Sequence, residues 1–406
     1  MTADRPARGG PTPADSSPVG GPGGTSLRVL RAPSTNRVYA DTAGPLVTAE
    51  LRWVLGAHLG QPVLVRDAPR AGLELMTVET PAPRDQVLQL LPATSAVQGV
   101  FLPHPVGAGN AERELLEPLE PAWSLRHPSA LETTLKYPGK TNEQFTALLI
   151  ALAAALSGHR SGLLDGTLRL LDPLCGRGTT LNRALRLGLS PLGAEVDAKD
   201  VEQYRVFLGT WLKDQRLPHH LDHGALTVAR KRLGTRLEVR IATDRAAQRR
   251  GEEQTVTVLG CDTAALDALV PARSVDALVA DLPYGVQHGG RADGVWRRSP
   301  LDLLAAAAPA WRGLLRRDAG MALAINRHST PPARAAEVLT DAGFRVLPTG
   351  DDFRHRVDRS IDRDVVLAVP ADHPEGERLA ALADQLQADQ RQADQRQADQ
   401  PAASAR

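Results

Sequence analysis

Two hydrophobic periodicities alternate along the second half of the chain. Short apolar runs are typical of buried strands, and apolar residues at helical spacing are typical of helices. The runs predict strands at residues 168–171, 191–196, 256–260, 275–280, 321–325 and 365–369. The helical spacing predicts helices at residues 141–156, 179–187, 200–212, 301–315 and 333–342. Strands that alternate with helices indicate an α/β fold with a parallel, doubly wound sheet, whose ligands bind at the carboxyl ends of the strands.

A smaller α/β domain is predicted ahead of this sheet, at residues 27–121, so that the large sheet occupies residues 122–370. The small domain has a predicted helix at residues 45–59. Its predicted strands are at residues 36–40, 62–65, 73–78 and 97–102. Residues 103–128 are rich in Pro and Glu, which predicts a linker.

Both ends of the chain are predicted to lie outside these domains. Residues 1–26 are dominated by Gly, Pro, Ser and Thr. Such a segment cannot bury enough apolar surface to offset the entropy of ordering, so we predict that it is disordered. In residues 371–406 the unit Gln-Ala-Asp-Gln recurs from Gln387 onward. This low-complexity tail is predicted to be a frayed helix or disordered.

The composition narrows the class of protein. Lys and Arg number 48 against 47 Asp and Glu, a net charge of +1, which excludes a uniformly basic coat for nucleic acid. No apolar run approaches the roughly 20 residues of a membrane span, so no membrane partner is expected. The first residues lack the apolar region of a signal peptide, and two Cys cannot form a disulfide framework. We therefore predict a cytoplasmic protein.

A glycine-rich turn follows the first strand of the large sheet. The strand runs into Asp172, and Cys175, Gly176, Gly178 and Thr179 then lead into a helix. Glycines let a ligand approach the backbone closely, and the start of the helix presents free N–H groups. The turn is thus a candidate binding site for a ligand.

Acidic residues follow the next two strands. Glu195 and Asp197 end the second strand, where a carboxylate can accept hydrogen bonds from both hydroxyls of a ribose. Asp262 follows the strand at residues 256–260 and either faces a ligand or caps the next helix.

The strand at residues 275–280 leads into Asp281-Leu282-Pro283-Tyr284. An amine on a base ring is a poor nucleophile, because its lone pair is conjugated with the ring. The Asp281 carboxylate and the Leu282 carbonyl can hold such an amine, and Pro283 fixes the turn. Tyr284 offers a ring on which an unstacked base can lie. The alternative is an ordinary turn in which the Asp caps and the Tyr packs.

Residues 136 to about 369 resemble the class I S-adenosylmethionine-dependent amino-methyltransferases. The turn after Asp172 resembles the first motif of that family, and Asp281 to Tyr284 resemble its Asp/Asn-Pro-Pro-Tyr motif, with Leu282 in place of the first proline. The tRNA guanine-N2-methyltransferases are the most similar group. The resemblance implies a Rossmann-like methyltransferase sheet of seven strands in the order 3-2-1-4-5-7-6.

The resemblance also implies site residues and partners. The implied cofactor is S-adenosyl-L-methionine, bound by Asp172, Cys175, Gly176, Gly178, Thr179, Glu195, Asp197 and Asp262. Thr141 and Asn142 lie where the family holds the methionine end of the cofactor, or they cap the following helix. The implied catalytic residues are Asp281, Leu282, Pro283 and Tyr284. Members usually carry an N-terminal RNA-binding THUMP module, so the implied partner is tRNA or another structured RNA.

Two other functions stay open. A DNA adenine or cytosine amino-methyltransferase usually carries a large target-recognition domain after the fourth motif, and little chain is left for one. A non-catalytic scaffold that binds RNA or the cofactor would not need an intact Asp281 motif. The basic segment at residues 226–250 is either a hairpin that contacts RNA or a solvated one. Arginines at residues 354–363 alternate with aspartates, which favours surface ion pairs, and His219, His220 and His223 lack the further ligands that a metal needs.

Overall fold

The computed structural model describes residues 24–34, 36–61, 63–106, 113–137, 139–228, 231–284 and 299–398. The disorder predicted for residues 1–26 lies outside the described residues as far as residue 23. The first strand begins at Thr25, two positions before the predicted boundary of the folded chain.

The N-terminal part of the chain forms a small antiparallel sheet with helices on one face. Its strands are β1 (Thr25–Arg31), β2 (Leu64–Asp67), β3 (Leu75–Thr80), β4 (Val97–Val106) and β5 (Arg113–Leu119). Over the described residues the strand order is β2-β3-β1-β4-β5, and each strand pairs antiparallel with its neighbour. Helices α1 (Arg37–Leu59) and α2 (Arg84–Leu90), with a 3-10 turn at Leu91–Ala93, share one apolar core with these strands.

The strand predicted at residues 36–40 is wrong. Asn36 caps α1 instead, because its side chain accepts a hydrogen bond from the backbone N–H of Tyr39 at 3.1 Å. An asparagine at this position satisfies a backbone donor that the helix start leaves free. This local signal outweighed the strand propensity of Val38 and Tyr39, which are helical.

The linker predicted at residues 103–128 is also wrong at residues 103–106 and 113–119, which belong to strands. Strands β4 and β5 pair there, from Val100 opposite Leu119 to Val106 opposite Arg113. A strand tolerates proline on the side where no neighbouring strand accepts a hydrogen bond from it. Strand β1 pairs with β4 only as far as Phe101, so Pro103 and Pro105 lie beyond it.

The second sheet is larger and mixed. Its strands are β6 (Leu170–Asp172), β7 (Leu192–Ala194), β8 (His219–Val228), β9 (Lys231–Ala242), β10 (Glu253–Gly260), β11 (Val275–Asp281), β12 (Leu315–Asn326), β13 (Phe344–Leu347), β14 (His355–Arg356) and β15 (Asp362–Pro370). Its helices are α3 (Ala130–Thr133), α4 (Glu143–Leu156), α5 (Gly162–Asp165), α6 (Thr179–Arg186), α7 (Ala198–Asp214), α8 (Arg245–Arg250), α9 (Pro300–Leu314), α10 (Pro332–Asp341) and α11 (Gly376–Ala398), and a 3-10 helix spans Thr263–Ala268.

The order of the strands in this sheet is that of the class I methyltransferases. In chain order β6, β7, β10, β11, β12, β13 and β15 are its first to seventh strands, and they lie in the order 3-2-1-4-5-7-6. Strands β8 and β9 form a hairpin that extends the sheet beyond β10. The predicted α/β fold with this Rossmann-like order is confirmed.

The prediction of a parallel sheet of seven strands is wrong outside the centre of the sheet, which has ten strands among the described residues, and β8, β9 and β14 pair antiparallel with their neighbours. Strands β6, β7, β10, β11 and β12 are parallel, but β15 runs antiparallel to both β12 and β13. Residues 348–361, all described, contain no helix. Parallel neighbours are usually joined by a crossover helix, so a connection without one favours the antiparallel pairing of β13 and β15.

Helix α4 is the common element of the two sheets. Its residues from Phe145 to Leu156 are buried, and it packs on α1 on one side and on β11 and β12 on the other. Helix α11 closes the same core, with Leu379, Ala383 and Leu386 buried, although it begins within the predicted low-complexity tail. Among the described residues, no helix combines the length and the hydropathy that crossing a bilayer requires.

Candidate functional site

The strands of the large sheet bring several acidic residues to one edge. Asp172 is the last residue of β6, and Asp281 is the last residue of β11. Glu195 follows the end of β7, and its backbone N–H donates to the Leu259 carbonyl of β10 at 3.0 Å. Because these strands are parallel, the three carboxylates lie at the carboxyl edge of the sheet.

Glu195 holds the glycine-rich turn. Its Oε2 accepts a hydrogen bond from the backbone N–H of Gly176 at 2.9 Å, and its Oε1 accepts one from Asp197 at 2.8 Å. Burial raises the pKa of Glu195 and these two N–H groups lower it, with a net upward shift. The carboxylate therefore fixes the turn to the end of the second strand.

The turn needs glycine at two positions. Gly176 and Gly178 have φ values of +50° and +79°, a region that strongly favours glycine. A Cβ at Gly178 would also overlap the ring of Tyr204, whereas a Cβ at Gly176 would meet nothing within 4 Å. Gly178 is the N-cap of α6, so the free N–H groups of this helix begin at the turn.

Asp172 is the most buried acid of the site. Its relative exposure is 3%, and its Oδ1 accepts a hydrogen bond from the backbone N–H of Leu174 at 3.0 Å. Burial raises its pKa to about 7, and the negative charges of Asp281 and Glu195 add to that rise. The carboxylates of Asp281 and Glu195 thus each lie close enough to Asp172 to disfavour its charged form.

Two hydroxyl groups hold the carboxylate of Asp281. Thr141 Oγ1 donates to Asp281 Oδ2 at 2.5 Å, and the Tyr284 hydroxyl donates to Asp281 Oδ1. Leu282 is buried and its backbone N–H donates to the Ala324 carbonyl of β12 at 3.0 Å, whereas Pro283 is exposed. The motif therefore leaves the sheet after Leu282, one position beyond the carboxylate.

The other predicted site residues mostly cap helices. Asn142 Oδ1 accepts from the backbone N–H groups of Gln144 and Phe145, so Asn142 is the N-cap of α4. Asp197 caps α7, and Asp262 caps the 3-10 helix after β10 while its side chain stays exposed. Capping of α4 explains the contacts of Asn142 without any ligand, whereas Thr141 contacts the Asp281 carboxylate.

Cys175 and Thr179 lie in the glycine-rich turn. The Cys175 thiol is buried, and burial raises its pKa well above the usual value, so the thiol stays protonated. The backbone of Gly193 packs closely on this side chain, since a Cβ on Gly193 would lie only 2.8 Å from Cys175 Sγ. Position 175 therefore has room only for a small side chain. Thr179 Oγ1 lies 3.2 Å from the Tyr137 hydroxyl, within hydrogen-bond distance.

Two residues near Tyr284 were not predicted as part of the site. Asn326, the last residue of β12, is buried and its Nδ2 donates to the Tyr284 carbonyl at 3.4 Å. Its place after the apolar run at residues 321–325 is a signal that could have identified it. The Arg363 guanidinium lies over the rings of Phe145 and Tyr284, at 4.8 and 4.9 Å from their centroids. This contact joins three segments that are distant along the chain, so no local sequence pattern predicts it.

The basic hairpin of β8 and β9 carries ion pairs. Arg236 pairs with Glu238, and Arg240 lies 3.8 Å from Glu253 of β10. These pairs favour the solvated hairpin over a surface that binds the RNA backbone, although residues 229 and 230 lie outside the described residues. Across the described part of the chain, no three His, Cys, Asp or Glu side chains form a group that could hold a metal ion.

No protein-family model matches the chain, and no curated protein matches it. Among solved structures, TrmN from Thermus thermophilus is similar, with 14% identity, 85% of this chain and 99% of that chain covered, and a TM-score of 0.37. The rRNA methyltransferase aviRa from Streptomyces viridochromogenes is similar with 17% identity, 62% and 96% coverage, and a TM-score of 0.36. A TehB-like SAM-dependent methyltransferase from Corynebacterium glutamicum has 12% identity, 52% and 85% coverage, and a TM-score of 0.29. These values are too low for the similarity to say what this chain binds or does.

Proposed function

We propose that this chain is an S-adenosylmethionine-dependent N-methyltransferase that acts on the exocyclic amine of a nucleobase, with guanine N2 in tRNA as the favoured target. The observation that carries the proposal is the placement of Asp281. Its carboxylate ends β11, is held by hydroxyls of Thr141 and Tyr284, and lies close enough to Asp172 to raise the pKa of that residue.

The residues at the sheet edge fit the proposed cofactor. Asp172 and Glu195 both have raised pKa values, and neighbouring carboxylates contribute to each shift. Such a surplus of negative charge favours a positively charged ligand, and S-adenosylmethionine carries a sulfonium. Each Glu195 oxygen accepts one backbone N–H, so each keeps a lone pair for a ribose hydroxyl.

Further residues complete the proposed cofactor site. Asp262 would face the adenine ring from the end of β10, and the Thr141–Asn142 segment would lie near the methionine end. When bound, the cofactor supplies an electrophilic methyl group. The turn that would hold it consists of Cys175, Gly176, Gly178 and Thr179, with Asp197 beside Glu195.

The Asp281 motif would bind and orient the target amine. Each carboxylate oxygen can accept a second hydrogen bond, so an amine N–H can join the hydroxyls already present. The Leu282 carbonyl supplies a second acceptor, and together they localise the amine lone pair. The Tyr284 ring offers a stacking surface for the unstacked base. Fixed positions of this kind supply much of the rate in a transfer between two bound groups.

Residues 27–121 are the proposed RNA-recognition module. They contain the five-stranded sheet, whose helix α1 packs directly on α4, the helix that begins beside Thr141. Residues 299–370 are used by α9, α10 and the last strands of the large sheet. Since these residues are used by the fold, we assign substrate recognition to the N-terminal sheet rather than to a domain after the Asp281 motif.

The test is nucleoside mass spectrometry of total RNA and DNA from a strain that lacks the gene. We expect one methylated guanosine to disappear from tRNA. The wild-type gene should restore it, Asp281→Asn should not, and Asp341→Asn, an exposed residue of α10, should restore it fully. Loss of a methylated base from DNA alone would replace RNA by DNA as the substrate, and full restoration by Asp281→Asn would contradict catalysis at this site.

A further inference from the structure

Arg363 differs from the other arginines of its segment. Arg354 and Arg356 are exposed, and Arg354 pairs with Asp362 at 3.0 Å. Arg363 has a relative exposure of only 6%, forms no ion pair within the described residues, and its Nε lacks a hydrogen-bond partner there. A buried cation without a carboxylate is costly, so the contacts that it does make are informative.

Among those contacts are two aromatic rings. The Arg363 guanidinium lies 4.8 Å from the centroid of Phe145 and 4.9 Å from that of Tyr284. A cation over an aromatic face is attracted by the ring, and more strongly where water is excluded. The charge of Arg363 also acts on the Tyr284 hydroxyl, where it lowers a pKa that burial raises well above its usual value.

Both rings belong to segments that hold Asp281. Phe145 lies in the first turn of α4, three positions after Asn142, and Thr141 donates to Asp281 Oδ2. Tyr284 donates to Asp281 Oδ1. The guanidinium therefore joins the two segments whose hydroxyl groups hold the two oxygens of one carboxylate.

Neighbouring side chains keep this arrangement rigid and free of competing charge. The rings of Tyr39 and His355 contact Phe145 edge-on, with centroids 6.4 and 5.0 Å away. Burial lowers the pKa of His355 to about 4, so His355 is neutral and does not repel Arg363. Its Nδ1 donates to the Phe353 carbonyl at 3.0 Å.

We propose that Arg363 is a positioning residue for methyl transfer: stacked between Phe145 and Tyr284, it fixes the Tyr284 ring in the orientation that receives the target base and keeps the Tyr284 hydroxyl on Asp281. This role rests on the proposed function. Arg363 acts through Tyr284 and does not itself contact the reacting atoms.

The first measurement needs no substrate. The chain has four tyrosines, so 3-fluorotyrosine gives few fluorine resonances, and Tyr284→Phe identifies that of Tyr284. We expect Arg363→Met to move this resonance and to narrow it, because the ring turns more freely. Arg356→Met, at an exposed arginine of β14, should leave it in place. An unchanged Tyr284 resonance in folded Arg363→Met overturns the proposal, whatever the activity of the protein.

The second measurement uses tritiated S-adenosylmethionine and bulk tRNA from the deletion strain. We expect Arg363→Met to lower kcat at least about tenfold, with cofactor affinity within about twofold of wild type. Arg363→Lys should recover part of kcat, because it keeps a cation between the rings. Equal losses in both variants together with loss of cofactor binding would overturn the proposal in favour of a general structural role. A wild-type protein that methylates no RNA while Arg363→Met still moves the Tyr284 resonance contradicts the proposed function and supports the ring contact.

Discussion

Thr141 Oγ1 and Asp281 Oδ2 lie 2.5 Å apart although 140 positions separate the two residues in the sequence. The hydroxyl can only donate to a carboxylate, so the bond sets the orientation of Asp281 from outside the strand that carries it. It thereby couples the start of α4 to the end of β11.

Replacing Thr141 by Val should reduce catalysis rather than folding. Valine keeps the shape and removes the donor, and a lost hydrogen bond to a charged group costs roughly 1.5–3 kcal/mol. If that bond stabilises the transition state, kcat should fall about 10- to 100-fold. The assay measures transfer of tritium from labelled cofactor to tRNA. Thr133→Val, at an exposed position of α3, is the matched control. A fall in cofactor affinity with unchanged kcat would instead place Thr141 at the methionine end of the cofactor.

Replacing Glu195 by Ala should weaken cofactor binding. The variant loses both acceptors for ribose and releases Gly176, whose N–H the carboxylate holds at 2.9 Å. We expect calorimetry to show at least about tenfold weaker binding of S-adenosylmethionine and of S-adenosylhomocysteine. Glu202→Ala, on the exposed face of α7, should bind both normally. Normal affinity in Glu195→Ala would remove this residue from the site.

The stability of the protein without ligand should depend on pH through Asp172. The pKa of Asp172 is raised to about 7 in the folded state, so the folded protein holds a proton that the unfolded chain loses near pH 4. Asp172 therefore lowers the free energy of unfolding as pH rises from about 4 to about 7, by an amount on the order of 4 kcal/mol. Urea titrations of wild type and Asp172→Asn at several pH values isolate this effect, since Glu50 and the buried histidines titrate alike in both proteins. Parallel stability curves would show that Asp172 ionises freely in the folded state.

The same ionisation should appear in ligand selectivity. Above pH 7 the Asp172 carboxylate is charged and favours the sulfonium cation over the uncharged thioether of S-adenosylhomocysteine. The ratio of the two affinities should thus increase as pH rises through about 7, and Asp172→Asn should flatten it. A ratio that is constant with pH in wild type would contradict the electrostatic role.

The two glycines of the turn should respond differently to alanine. Both have positive φ, which costs a residue with a Cβ about 1 kcal/mol or more. At Gly178 the new Cβ would also overlap the Tyr204 ring, whereas at Gly176 it has free space. We expect Gly178→Ala to lower the free energy of unfolding by about 2–4 kcal/mol and Gly176→Ala by about 1 kcal/mol. Gly188→Ala, with positive φ and open space outside the site, is the control for backbone strain alone.

The parts of the fold that local patterns determine were predictable. Asp172 and Asp281 were placed at strand ends because an apolar run stops directly before each of them. The helix over residues 36–40 was missed because one capping asparagine decides it. Strand β5 was missed because its proline, Pro118, is tolerated on a strand at the edge of a sheet, and edge position is not visible in a sequence.

The candidate site likewise contains residues that the sequence predicts and contacts that it does not predict. The carboxylates were found as separate motifs, and their assignment as cofactor and catalytic residues stays a prediction. The contacts that hold Asp281 were not found, since Thr141, Tyr284 and Arg363 meet only after α4, β11 and β15 are packed. The amino-acid sequence does not show such contacts between distant segments before the packing of these elements is known.

Because α4 connects the two sheets, neither sheet can function as a separate unit. It belongs to one apolar cluster that includes Trp53 of α1 and Leu379 of α11, so elements near both ends of the folded chain contribute to the core around it. Removing either element would expose apolar surface of the core that contains α4, the helix that begins two positions after Thr141. Damage to the proposed RNA-recognition module would therefore disturb the proposed reaction centre by leaving Asp281 less firmly held, even where no substrate is bound.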